Sequence, residues 1–278
     1  MVQIGKINTL RIKTKQAYGV HLDGGAAGDI LLLTKEVPDA CQPGDTVEVF
    51  VYRDREEHLR ATTQKPYATV GQFALLQVIT NSPSGAYLDW GMGIDLFVPK
   101  SEQQDTMREG KSYVVFVFLS EKNNSIIASS KLDKFLGLQP LNYKEGNAVD
   151  LIIFDKTDLG YKAVVNSAHA GMLYENEVFQ KLLPGQQLKG YIKKIREDLK
   201  IDLSLQQPGY QGVDAVSQNI LETIKEHGGS IPITDKSLPE EIYSRFGVSK
   251  KVFKKAIGSL YKKRLITIDS SGITRTSR

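Results

Sequence analysis

The chain has a single cysteine, Cys41, so it can form no internal disulfide and no cysteine zinc site. It has no run of 18 apolar residues, so no segment reads as a membrane-spanning helix. Met1-Val2-Gln3-Ile4-Gly5-Lys6 has no basic stretch followed by an apolar one, and no secretory signal is expected there. These absences point to a cytoplasmic protein. Histidine is scarce too: His21, His58, His169 and His227 are scattered, with no His-Glu-x-x-His spacing. Gly24-Gly25 and Gly91-Met92-Gly93 lack the Gly-Lys-Ser/Thr of a phosphate loop and read as turns. Cys41 has no histidine beside it. No catalytic residue, cofactor, metal or small-molecule substrate is expected.

Positive charge is scarce over most of the length. Residues 1–211 carry 24 Lys+Arg against 25 Asp+Glu, whereas residues 212–278 carry 12 against 7. The basic excess belongs to the C-terminal quarter, which points to a polyanion partner there.

Glycine, by contrast, is regularly placed. Gly5, Gly19 and Gly44 are spaced as Gly71, Gly85 and Gly110, and as Gly146, Gly160 and Gly185. Each last glycine opens an alternating apolar run: Val47, Val49, Val51; Tyr113, Val115, Val117; Leu188, Gly190, Ile192. One supersecondary unit is written three times. In the first copy, strands are expected at Ile4–Lys13, Ala17–Asp23, Ile30–Leu33, Thr46–Arg53 and Leu59–Thr62. Five strands in about 60 residues predict a five-stranded antiparallel barrel of the OB type.

From Asp214 the apolar period becomes helical, with Val216, Ile220, Leu221 and Ile224 on one face. Ser230–Ile233 reads as extended. Pro239–Phe246 reads as a second helix, stopped by Gly247, and Ser249 as the cap of a third helix running to about Arg264. Leu265–Thr274 reads as a hairpin. The expected architecture is therefore mainly β with an α C-terminal domain: OB barrels over 1–64, 65–133 and 145–206, then a winged helix over 213–278. Leu132, Phe135, Leu136 and Leu138, at helical spacing before Pro140, are expected to join the second and third barrels.

Two groups of nucleic-acid contacts follow from the pattern. Lys189, Tyr191 and Lys193 alternate with Leu188, Gly190 and Ile192, so they point away from the third barrel, with Lys194, Arg196 and Lys200 in the same hairpin. Basic residues interleaved with a ring suit a single strand. Phe50 and Phe116 occupy the position of Tyr191 in the earlier copies. This recurrent outward ring is read as a nucleic-acid contact first and as a docking surface between barrels second. In the third helix Lys250, Lys251, Lys254 and Lys255 repeat at i, i+4 along one face, with phosphate as the natural partner. Lysine reads bases poorly, so backbone contacts are expected.

The repeat resembles the RNA-binding OB domain named after ribosomal protein S-one. Gly44-Asp45-Thr46-Val47-Glu48-Val49-Phe50-Val51, Gly185-Gln186-Gln187-Leu188 and Asp202-Leu203-Ser204 carry that likeness. It implies stacking rings at Tyr18 and His21 in the first copy and Tyr87 in the second, where Ser84 takes the other place. In the third copy those places hold Leu159 and Lys162. The family's histidine position falls on Leu31, near Leu96 or Phe97, and on Tyr174, with the neighbouring Tyr161 a further ring. The order of three such barrels and a winged helix resembles the conserved virulence factor B family. That resemblance implies a cytoplasmic RNA-binding regulator of gene expression, virulence genes included. Single-stranded RNA is the expected partner and a monomer the expected state, with no membrane. Duplex DNA bound by a transcription regulator, or a ribosome- or nuclease-associated adaptor, are the other readings.

Overall fold

The computed structural model describes residues 1–54, 56–137, 143–178, 180–206 and 213–276. The chain forms two compact units, Met1–Phe135 and Leu136–Arg278. The first holds two barrels. The earlier comprises β1 (Ile7–Gln16), β2 (Gly19–Asp23), β3 (Asp29–Leu33), β4 (Thr46–Arg53) and β5 (Leu59–Thr62). The later comprises β6 (Phe73–Ser82), β7 (Gly85–Leu88), β8 (Leu96–Pro99), β9 (Ser112–Leu119) and β10 (Ile126–Ser129). The second unit opens with a third barrel: β11 (Ala148–Thr157), β12 (Gly160–Val165), β13 (His169–Tyr174), β14 (Gln187–Ile195) and β15 (Ile201–Ser204). All three are closed and share one strand order, β1-β2-β3-β5-β4 in the first, with a parallel contact between the third and fifth strands.

The repeated glycines have different physical causes. Gly5, Gly71 and Gly146 have φ of +75°, +84° and +86°, and each donates its N–H at 2.7 Å to Val51, Val117 or Ile192 O. Gly19, Gly85 and Gly160 lie against the neighbouring strand. A Cβ there would fall 2.3, 2.2 and 2.1 Å from Leu32, Val98 and Leu173 O. The first-strand bulge recurs as well, between Ile12 and Thr14, Val78 and Thr80, and Ile153 and Asp155. A bulge bends a strand locally, which barrel closure needs.

The expected strands are present with shifted ends. The first begins at Ile7 rather than Ile4, because Gly5 turns the chain in a left-handed conformation, and it runs on to Gln16. Phe50 is a larger correction. It points away from its own barrel but is fully buried, meeting Trp90 of the second barrel edge-on at 5.4 Å between ring centroids. Phe116 packs on Phe73 at 4.7 Å and on Phe135 at 4.3 Å. Phe50 is thus covered by the neighbouring barrel, the docking alternative, whereas Phe116 stays half-exposed against its own barrel and the turn that follows it. Phe135 ends a 3₁₀ turn, Leu132–Phe135, rather than a longer helix. Leu138, Pro140 and the linker over 207–212 lie outside the described residues.

The last part of the second unit comprises α1 (Val213–Glu226), β16 (Ser230–Ile231), α2 (Pro239–Phe246), α3 (Lys250–Lys262), β17 (Ile266–Ile268) and β18 (Ile273–Arg275). β18 lies between β16 and β17, and the β17–β18 hairpin is the wing. Val216, Ile220, Ile224, Ile242, Phe253, Ile257 and Leu260 fill the core. Three closed barrels followed by a winged helix make the chain mainly β with an α C-terminal part.

Candidate nucleic-acid interface

Strand register defines one outward row on each barrel. In the first, His21 pairs with Leu31 and Leu31 with Arg60. In the second, Tyr87 pairs with Phe97 and Phe97 with Ile127. In the third, Lys162 pairs with Met172 and Met172 with Asp202. All nine residues are half-exposed. The same patch of the same fold therefore carries a basic, an aromatic and a mixed-charge surface.

On the first barrel, Tyr18 is 54% exposed, and its hydroxyl lies 3.3 Å from His21 Nε2. Both line a cleft of about 690 Å³ with Leu31, Arg53 and Arg60. Arg60 is held by Asp54, with Nε 2.7 Å from Oδ2. Burial opposes ionisation of Asp54. The hydrogen bonds from Arg60 and from the N–H groups of His58 and Glu56 outweigh it, leaving the carboxyl below its ordinary value. Asp54, Glu56 and His58 bring potential ligand atoms within 4.8 Å of one another. With Asp54 already engaged by Arg60, this grouping is that of a tight turn.

On the second barrel, Tyr87 and Phe97 have ring centroids 5.0 Å apart, tilted by 39°. Tyr87 also lines a cleft of about 610 Å³ with Tyr52, Arg60, Trp90 and Ile126, all within the first unit. Tyr18, His21 and Tyr87 thus sit where a ligand can reach them.

The third barrel departs from expectation at two rings. Tyr161 is only 6% exposed and belongs to the barrel core, so it offers no stacking face. Tyr174 pairs with Gly160, which makes it equivalent to Leu33 and Pro99; the equivalent of Leu31 is Met172. Tyr174 donates its hydroxyl to Asp202 at 3.3 Å, and the Arg196 guanidinium lies 5.7 Å from its ring centroid.

The basic hairpin is largely neutralised by its surroundings. Lys189 pairs with Asp150 at 2.6 Å, Lys193 with Glu177, Arg196 with Asp202 at 2.9 Å and Lys200 with Asp198 at 2.8 Å. Lys200 also holds the Asp198 carboxyl below its ordinary value. Such exposed pairs are worth up to about 1 kcal/mol each, so a phosphate can displace the acid at modest cost. Lys194 is exposed and has no acidic partner among the described residues. Tyr191 stays half-exposed beside it, unlike Phe50.

α3 starts at Ser249, whose Oγ accepts the Val252 N–H at 3.4 Å. It buries Phe253, Ala256, Ile257 and Leu260 and presents Lys251, Lys254, Lys255 and Lys262 to solvent, with no acid in the helix. Two of the four expected lysines have partners. Lys250 donates to Ser237 O at 2.7 Å and Lys254 lies 3.6 Å from Asp235. Lys251, Lys255 and Lys262 have none among the described residues. The helix ends at Lys262 instead of Arg264, which adopts a left-handed φ of +56°. The wing tip is tied by Asp269, whose carboxylate accepts from Ser271 N at 2.7 Å and Gly272 N at 3.1 Å. The sequence pattern passed over Arg60 and the exposed Tyr261, and it left the second copy's histidine place open between Leu96 and Phe97. Phe97 was legible, since it follows Gly71 by the interval that separates Leu31 from Gly5.

OB barrels with open outer faces, ending in a winged helix with a basic third helix, define a nucleic-acid-binding type of protein. Comparison with known families agrees: residues 4–64 and 70–130 match the S1 domain, and residues 218–274 match the CvfB-like winged helix domain. Conserved virulence factor B of Staphylococcus epidermidis is 25% identical over 99% of this chain and 95% of its own length. The Bacillus subtilis protein YitL is 27% identical over 93% of this chain and 89% of its own. A solved multidomain protein with nucleic acid binding domains from Streptococcus pneumoniae is 23% identical, covers 98% of each chain and has a TM-score of 0.41. The two kinds of domain and the relatives matched over nearly the whole chain support the conserved virulence factor B family. No helix among the described residues is long and apolar enough to cross a membrane.

Proposed function

We propose that this protein is a non-catalytic, cytoplasmic RNA-binding regulator of gene expression, acting as a monomer on single-stranded RNA. The observation that carries the reading is the solvent face of α3: Lys251, Lys255 and Lys262, without partners among the described residues, on a helix without a single acid. Free cations on a rigid element are what phosphates displace counterions to reach. The barrel rings Tyr18, His21 and Tyr87 and the Lys194–Tyr191 edge supply weaker contacts that add through linkage in one chain. Base–ring stacking favours an unpaired strand, whose bases are open. The name of the staphylococcal relatives, conserved virulence factor B, links them to virulence.

The test is binding of a fluorescent single-stranded RNA to the full chain across a salt series. Wild type is expected to show log affinity falling with log salt by about 0.7 per phosphate contacted. Lys251→Glu with Lys255→Glu should weaken binding at least ten-fold and flatten the slope. Unchanged affinity in that double variant sinks the reading. A second reading, duplex DNA bound through α3 and the wing, is favoured by the β17–β18 hairpin beside the basic helix. Stronger competition by duplex DNA than by single-stranded RNA would establish it.

A further inference from the structure

Gly258 sits in the interior of α3, where glycine is unfavourable. Relative to alanine it shifts a helical equilibrium toward the unfolded form by roughly five-fold. Most other described glycines have visible causes, such as the left-handed φ of Gly5 or the close strand contact at Gly19. Gly258 has neither. Its backbone is ordinary helix, and a Cβ built on it meets no atom within 4 Å. Nothing among the described residues requires the missing side chain.

Its position supplies a reason. At helical spacing Gly258 falls at the centre of the solvent face of α3, with Lys251, Lys254 and Lys255 one and two turns before it and Lys262 one turn after it. Tyr261 is three residues on, on the same face and 57% exposed. No hydrogen bond or ring contact holds the Tyr261 side chain among the described residues. The result is a stretch of helix backbone without a side chain, on a face shared with Lys251, Lys255 and Lys262, with Lys254 paired to Asp235 and the exposed Tyr261 ring nearby. Glycine permits the close approach of another backbone. Cations on such a face select a polyanion, and an exposed ring nearby selects a base.

We propose that Gly258 and Tyr261 form the strand-contact point of α3: the sugar–phosphate backbone of a single-stranded RNA lies against the helix at Gly258, and one base stacks on Tyr261. This rests on the RNA reading above and adds to it a geometry and an unpaired base.

The full-length variants Gly258→Ala, Tyr261→Leu and Tyr261→Phe test it by RNA titration and thermal unfolding. Gly258→Ala is expected to move the two readouts in opposite directions. The winged helix should melt about 4 °C higher, because a helical glycine is gone. RNA affinity should fall by roughly five-fold or more. Tyr261→Leu should lose about five-fold to a hundred-fold, while Tyr261→Phe keeps its affinity, since every base stacks on either ring. Wild-type affinity in Gly258→Ala overturns the proposal. A lower melting temperature in that variant overturns it too, because the glycine would then serve the fold. Retained binding in Tyr261→Leu removes the stacked base, and a loss seen only with duplex DNA would make α3 a groove reader instead. The Lys251→Glu/Lys255→Glu variant separates these failures: if it too binds normally, α3 is not the RNA surface at all.

Discussion

Phe50→Ala removes a ring that is wholly enclosed although it leaves its own barrel on the outer side. Phe50 is 0% exposed and clusters with Ala68, Leu76, Leu88 and Trp90 of the second barrel. Truncating such a phenylalanine costs about 3–5 kcal/mol, the transfer of the ring plus the cavity left behind. The edge-on contact with Trp90 contributes on the order of 1 kcal/mol of that. A unit of this size has roughly 5–15 kcal/mol in all, so a large share is lost. Trp90 is the sole tryptophan, so its fluorescence reports the first unit and the contact itself. The assay is urea unfolding of the full chain followed by Trp90 emission. Phe50→Ala should lower the midpoint by more than 1 M, at a slope of about 2 kcal/mol per M. The control is Tyr191→Ala, at the same place in the third repeat but half-exposed. It should leave the Trp90 transition unchanged and weaken RNA binding instead. A Phe50→Ala midpoint within about 0.3 M of wild type would refute the view that this contact fastens the two barrels.

Two further outcomes follow from the site geometry. The Asp54 carboxyl lies below its ordinary value in the folded chain, so it stabilises the fold above the unfolded carboxylate range near ~3.9, and the contribution fades as pH falls through the folded value. Asp54→Asn should therefore flatten the acid limb of the stability profile of the first unit, measured by Trp90 emission, and an unchanged limb would contradict the Arg60 pairing. Tyr174→Phe loses the hydroxyl bond to Asp202 and should cost about 1–2 kcal/mol in the third barrel by denaturant unfolding. RNA affinity should hold in Tyr174→Phe, and a marked loss there would mean that the hydroxyl itself meets the ligand.

Much of the architecture was legible because its causes are local. The glycine spacing reports backbone conformations and close strand contacts that recur with the fold, and the Ser249 cap, Pro239 and Gly247 mark helix ends through short-range hydrogen bonds and φ preferences. The basic face of α3 could be read for the same reason, since helical period alone sets which lysines share a side. The site was less legible. Tyr161 and Tyr174 sit one and two residues from the row positions Lys162 and Met172, although the glycine interval that gives Leu31 and Phe97 also gives Met172. The acids that neutralise Lys189, Lys193 and Arg196 lie 39, 16 and 6 residues away, and only the first of these comes from the barrel's opening strand.

The amino-acid order by itself determined three copies of one barrel, a winged helix at the end, and a lysine-lined third helix, because each is written in residue spacing that acts within a few turns or strands. Tertiary structure alone decided which outward rings remain outward. Phe50 and Tyr191 occupy one repeat position, yet the first is sealed under Trp90 and the second stays open to solvent. A side chain's direction follows from its own strand, but its exposure depends on what packs beyond it.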